Sequence, residues 1–293
     1  MSNDRRSLKV SLACLFLALA VTPAWADDAP LRTWQFGGYV VAIERISGTD
    51  SFDQDLLTIR SAGKLVHAEV APHIGFITPG AGEADTPDLV AITSTAARDL
   101  VIEAFSGGAH CCFSIEVATL GDKFAVSPAL DLRDAGAALF KLPDGGLYGF
   151  RSADETYAYR WTSFASSPSP EILLRYDPDK GFTVAADLMR KPKRTSGELQ
   201  QLAAKMRNDA EAWKAEKDSP AAEYLQAVLD LVYSGDLKGA ETYAKAAWPA
   251  GRPGREDFID DLNQCALPAS PWWTPVAALN GVKPYLVAED CKP

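Results

Sequence analysis

Three stretches of this chain, set 59 residues apart, repeat one order of short apolar runs and small-residue turns. The first runs from Glu44 as ERISGTDSFDQDLLTIRSAGKLV and the second from Glu103 as EAFSGGAHCCFSIEVATLGDKFAV. Glu44 falls on Glu103, Ser47-Gly48 on Ser106-Gly107 and Lys64 on Lys123, with no gap. The third, from Thr162 as TSFASSPSPEILLRYDPDKGFTV, fits with a small slip: Phe164 lies under Phe105 and Phe182 under Phe124. Strand-like runs, Asp88 to Ile92 and Gly146 to Phe150, lead into the second and third copies. From Leu31 to about Ala186 the runs are rich in Val, Ile, Phe and Tyr and are bounded by Gly, Pro, Asp and Ser, the pattern of many short strands. Each unit reads as four strands: a leading strand, one ending in the small-residue turn, one after it, and a last one after a Gly/Asp-Lys turn. A four-stranded unit of this length has the size of a propeller blade.

The period changes after the basic stretch Arg190-Lys191-Pro192-Lys193-Arg194. Ser196 is placed to cap a helix of Glu198 to about Lys217, with Leu199, Leu202, Met206 and Trp213 recurring at helical spacing. Ser219-Pro220 opens a second, carrying Tyr224, Leu225, Val228, Leu229 and Val232 and stopped by Gly235. Asp236 caps a third that ends at Pro249, and Arg255 to about Cys265 makes a fourth. The expected fold is therefore α+β. A β-rich domain of about three blade-like repeats (27–189) is joined by a basic, solvated linker (190–195) to a small helical bundle (196–293).

In the middle copy the turn carries Ser106-Gly107-Gly108-Ala109-His110-Cys111-Cys112, and the run before it begins Pro87-Asp88-Leu89-Val90. These features resemble the FG-GAP-like, integrin-alpha-type blades of uncharacterised bacterial exported proteins, in which a GGAHCC segment follows a short Pro-Asp/Glu-Leu-Val strand. The resemblance covers Ala84 to Asp187 and implies a propeller-like domain. Such blades often carry an Asp-x-Asp-x-Asp-Gly calcium loop, whereas this chain has Gly80 to Asp85 and Asp131 to Gly136, which lack the alternating carboxylates a calcium ion needs. Three blades are too few to close a propeller. An open stack or a compact two-sheet variant is expected, its free edges covered by the helices.

Residues 1–26 read as a secretory signal: Arg5, Arg6 and Lys9 precede an apolar run from Val10 to Val21, and Ala24-Trp25-Ala26 offers a cleavage site. A rival reading is a lipoprotein signal ending at Cys14. Cleavage after Ala26 leaves a periplasmic or secreted chain beginning at Asp27, with no other stretch apolar enough to span a bilayer. The formal charge of −10 becomes −12 on removal of that segment, which holds three basic residues and one acidic one. An acidic chain without a basic cluster has no electrostatic footprint for nucleic acid or an anionic membrane surface. Partners of another kind, a protein or a small-molecule ligand in the periplasm, are expected.

Four cysteines remain after cleavage: Cys111, Cys112, Cys265 and Cys291. An even count in an exported chain reads first as disulfides. A Cys265–Cys291 bridge would tie the terminal tail to the bundle and contribute on the order of 3 kcal/mol. Three chemistries are open for the middle turn. A Cys111–Cys112 bond would lock it, with Gly107 and Gly108 supplying unusual dihedrals. His110, Cys111 and Cys112 would alternatively bind Cu or Zn, with His67 and His73 completing the set if the fold brings them near. The third is a thiol nucleophile activated by His110, with Glu103 or Glu116 orienting it. The other two copies carry ordinary turn residues here, Ser47-Gly48-Thr49-Asp50 and Ala165 to Pro170. Trp272-Trp273 reads as packing on the bundle. The chain contains no G-x-S-x-G, H-E-x-x-H, P-loop or Rossmann fingerprint. The expectation is an exported binding or scaffolding protein with no catalytic activity and no cofactor. The alternative is a metal-handling or thiol-redox protein acting through His110-Cys111-Cys112.

Overall fold

The computed structural model describes residues 32–47, 53–80, 82–108, 111–143, 145–214, 219–289 and 291, with only the backbone described at 111. The signal reading lies outside the described residues. Among these residues no helix is long and apolar enough to cross a membrane.

The first sheet is an antiparallel meander of β1 (Arg32–Phe36), β2 (Tyr39–Ser47), β3 (Asp53–Ser61) and β4 (Lys64–Ala71). Alternation along β2 and β3 turns Tyr39, Val41, Ile43, Leu57 and Ile59 to one face, where they are buried. Pro72 then carries the chain into a second sheet of six strands: β5 (His73–Thr78), β6 (Gly82–Ala84), β7 (Asp99–Gly108), β8 (Cys111–Leu120), β9 (Phe124–Val126) and β10 (Leu130–Arg133). Its order is β10-β8-β7-β5-β6, with β9 added on β8. The third sheet is again a meander, β11 (Ala138–Lys141), β12 (Tyr148–Ala153), β13 (Glu171–Asp177) and β14 (Gly181–Val184).

The middle sheet is buried on both faces. Ile74, Phe76, Leu100, Ile102 and Ala104 pack against the first sheet. The alternate residues Ile77, Val101, Ile115 and Val117 join a second core with Phe150, Ile172 and Leu174 of the third sheet. That second core runs on without a break into the helices.

Helix α1 (Ala186–Met189) follows β14 and leads to α2 (Ser196–Arg207), α3 (Ala222–Tyr233) and α4 (Leu237–Ala247). After these come α5 (Arg255–Asp261), a π turn at Leu262–Ala266, α6 (Leu267–Ala269) and α7 (Trp273–Leu279). An aromatic cluster centres the bundle: Trp213, Trp248 and Phe258 all lie 5.3–5.4 Å from the Tyr224 ring. Trp273 is buried and Trp272 packs on the same core, as the bland reading of that pair expects.

The α+β class is as expected, and several details differ. The run Asp88 to Ile92 forms no strand, only a bridge from Val90 to Asp99. The reason is local: the buried Asp99 carboxylate takes the N–H groups of Ile92 (2.9 Å) and Thr93 (2.8 Å) that a ladder would use. In the third copy the stretch before β13 holds a single 3-10 turn, Phe164–Ser166, because Pro168 and Pro170 offer no N–H to a ladder. The first bundle helix starts earlier and stops at Arg207. Thr195, not Ser196, caps it, in a reciprocal box with Glu198. The basic linker is exposed yet anchored at its start: Lys191 N–H donates to Ser234 O (3.1 Å) and Arg190 Nη2 to Leu279 O (2.9 Å).

A buried polar joint fastens the bundle to the third sheet. Asp154, at the end of β12, accepts from Thr156 N–H (2.9 Å), from Ser270 Oγ (2.5 Å) and from Tyr233 OH of α3. Tyr157 OH lies 2.9 Å from Tyr233 OH. Burial first, and the Asp154 charge with it, pushes both phenols well above their ordinary range, so both serve as neutral hydroxyls. A second joint is the pairing of Arg160 with Asp261, to which Trp161 Nε1 also donates (2.7 Å). Tyr233→Phe removes a donor from Asp154 and a partner from Tyr157. It is expected to lower stability by about 1–3 kcal/mol in urea unfolding, with a single coincident transition for the β and helical halves. Loss of less than about 0.5 kcal/mol, or two separate transitions, contradicts this reading.

Candidate functional site

The β7–β8 hairpin places the turn singled out by the repeat. Its register runs Phe105 opposite Phe113, then shifts so that Gly108 faces Cys111. The Phe105 and Phe113 rings lie 4.8 Å apart and close its base. Gly107 has φ 85°, and a Cβ there would meet Pro72 Cγ at 2.9 Å, so the turn sits against the crossover between the first two sheets. Only glycine allows both the dihedral and the approach. Ser106 Oγ accepts from Cys112 N–H (2.6 Å), and Cys112 is disulfide-bonded. Ala109, His110 and the Cys111 side chain lie outside the described residues. The expected Cys265–Cys291 bridge is present, with Cα atoms 5.5 Å apart.

These facts bear on the chemistries open to the turn. A metal-ligating or nucleophilic cysteine acts as its thiolate, and a disulfide sulfur carries none. In this oxidised form Cys112 carries no thiolate.

Among the described residues, His67 and His73 stand in two separate clusters. His73 opens β5 opposite Phe105. Its Nδ1 lies 3.4 Å from Asp55 Oδ2 and its Nε2 lies 2.5 Å from Glu83 Oε1. Asp55 is buried and also accepts from Arg45 Nη1 (2.8 Å) and Ile74 N–H (2.9 Å). Gly75 permits this chain of charges, since the Glu83 carboxylate lies over it, 2.3 Å from where a Cβ would stand. The result is a continuous run of contacts, Arg45–Asp55–His73–Glu83.

His67 belongs to a different cluster, between the first two sheets. It and Glu69 are two apart on β4 and share its inner face, opposite Ile59 and Leu57. Glu116 of β8 meets them from the middle sheet, with Oε2 3.3 Å from His67 Nε2. That distance is an ion-pair approach without hydrogen-bond geometry. The Glu116 carboxylate holds the imidazole above its ordinary value against the opposing effect of burial, and burial, then Glu116, raises Glu69. Among the described residues these three alone gather enough ligand atoms for a metal ion.

Sequence reasoning named His67, and Glu116 only as an orienting group for the turn; it missed Glu69, Asp55 and Glu83. The His-x-Glu alternation of β4 was a readable signal for a shared face. The opposing carboxylate comes from another sheet, and no spacing rule reaches it.

No protein-family model matches the chain, and no curated protein or solved structure matches it.

Glu103 lies across the β5–β7 ladder from Gly75, with one donor, Ala137 N–H at 3.3 Å. Burial is the main cause that pushes its carboxyl up from 4.5 to about 7, with the Glu83 charge adding and the Ala137 bond opposing. In the unfolded chain the group ionises near 4.5, so the fold loses stability as pH rises from about 4.5 to 7 and does not regain it above. Glu103→Gln keeps the acceptor for Ala137 and removes the charge. It is expected to raise unfolding free energy by about 2–3 kcal/mol at pH 8 and to change it little at pH 4.5. Equal effects at both pH values in denaturant titrations contradict this account.

Proposed function

We propose that this chain is an exported binding or scaffolding protein without catalytic activity. Its three sheets act as stacked blade-like units, FG-GAP-like in kind, and the helical half covers the outer one. The starts of β3, β8 and β13, at Asp53, Cys111 and Glu171, keep near the repeat spacing and support that reading. The carrying observation is the state of the β7–β8 corner. Its candidate nucleophile Cys112 is already cross-linked, its Ser106 hydroxyl is engaged, and the polar side chains beside it are in contact with one another. A catalytic site needs a base facing a free nucleophile; this corner has the chemistry of a rigid platform. With Cys265 and Cys291 taken, Cys111 is the proposed partner of Cys112 in the mature chain. Export after Ala26 into the periplasm or medium is the compartment in which such bridges persist.

A second reading keeps the turn functional. The disulfide at Cys112 is half-buried, at a hairpin tip, and a bond between adjacent residues is strained and more easily reduced than an ordinary one. That favours thiol-redox chemistry over metal handling through His110-Cys111-Cys112.

Thiol titration of denatured protein from an oxidising compartment separates these readings from a reduced turn. No free thiol is expected, and four free thiols overturn the cross-linked corner. In an insulin-reduction assay the wild type is expected to match Cys112→Ser and the background rate. Turnover that depends on Cys112 overturns the non-catalytic reading in favour of the redox one.

A further inference from the structure

The cluster of His67, Glu69 and Glu116 is the one place among the described residues where three potential metal-ligating side chains converge. One atom from each residue lies within 4.8 Å of the others, and His67 Nε2 and Glu116 Oε2 are 3.3 Å apart. A tetrahedral zinc site, with bonds of about 2.0–2.2 Å, sets its ligand atoms roughly 3.4 Å apart, so the observed spacing needs only small side-chain rotations to close. His67 Nε2, Glu69 Oε2 and Glu116 Oε2 are each shut off from solvent, and beyond the His67–Glu116 ion-pair approach none has a well-formed hydrogen bond. Buried polar atoms in native folds are nearly always satisfied. Here two carboxylates face a single imidazole, so a proton on the ring neutralises one of them and leaves the other bare. A divalent cation satisfies all three atoms and balances both charges.

The donor set selects the ion. One imidazole nitrogen and two carboxylate oxygens suit a borderline first-row cation, whereas calcium and magnesium prefer all-oxygen shells and Cu(I) prefers thiolate. Three protein ligands with an open fourth position fit Zn2+. The Phe124 ring lies 6.3 Å from the His67 ring and shields one side. We propose that His67, Glu69 and Glu116 form a zinc site that clamps the edge strand β4 of the first sheet to β8 of the middle sheet. β4 is the outermost strand of its sheet, so an ion held here would tie a free edge to the middle sheet. The site is independent of the β7–β8 turn and of its cysteines.

The test uses the whole mature chain, stripped with chelator and titrated with ZnCl2 by calorimetry, with melting followed in parallel. One Zn2+ per chain and a rise in melting temperature that grows with zinc concentration are expected. Glu116→Gln and His67→Gln should each weaken binding at least tenfold, while His73→Gln leaves it unchanged. Absence of stoichiometric binding overturns the site, as does equal affinity in Glu116→Gln, or loss in His73→Gln alone. X-ray absorption on the zinc-loaded wild type is a check that needs no variant. A shell of nitrogen and oxygen is expected, and sulfur scattering moves the metal to the cysteines and overturns the proposal.

Discussion

The structure depends on burying the middle sheet on both faces. β7 has six consecutive buried residues, Asp99 to Ala104, and β5 has five, Ile74 to Thr78. Strand alternation divides those residues between two cores, so each side chain on β7 commits one neighbouring sheet. Leu100, Ile102 and Ala104 hold the first sheet, and Val101 holds the third sheet with the bundle behind it. Burial of each large aliphatic side chain contributes about 1.5–3 kcal/mol. Both interfaces are therefore strong, and the sheet between them has little freedom to move relative to either.

Double burial also explains where the polar chemistry sits. Any charged residue on these strands enters a core and must find partners there. Asp99 is fully buried and collects donors from Ile92, Thr93 and Thr119. It thereby turns a would-be strand into a loop that closes over the sheet. Glu103, four residues on, has one long hydrogen bond, and its carboxyl is held near neutrality. Asp55, His73 and Glu83 solve the same problem at the perimeter by pairing with each other and with Arg45. Among the described residues, the group of His67, Glu69 and Glu116 sets two carboxylates against a single imidazole, which makes it the odd member of the set.

The helical half is part of the same body. Its aromatic cluster is continuous with the core of the third sheet, and the Asp154–Tyr233–Ser270 joint crosses between them. The basic stretch that reads in sequence as a free linker is tied down at Arg190 and Lys191 because α1 must lie on β13 and α7. The long-range partners are backbone carbonyls, which carry no signature in sequence.

Much was legible in the residues themselves. Period-two runs located the strands, the change to period near 3.6 located the helices, and Asp236 and Gly235 marked a cap and a stop that the structure keeps. The even cysteine count pointed to disulfides, and the favoured Cys265–Cys291 pairing among the three possible connectivities is present. These are local or near-local properties, set by backbone sterics and side-chain spacing. What only the tertiary structure decided is which faces meet. Whether Asp88 to Ile92 pairs or loops depends on Asp99; whether His67 and His73 share a site depends on which sheets flank them. The middle turn kept its glycines and its place at a hairpin tip. Its surroundings, Pro72 beneath it and the paired Asp55, His73 and Glu83 beside it, come from strands distant in sequence, brought together by burial that has no direction along the chain.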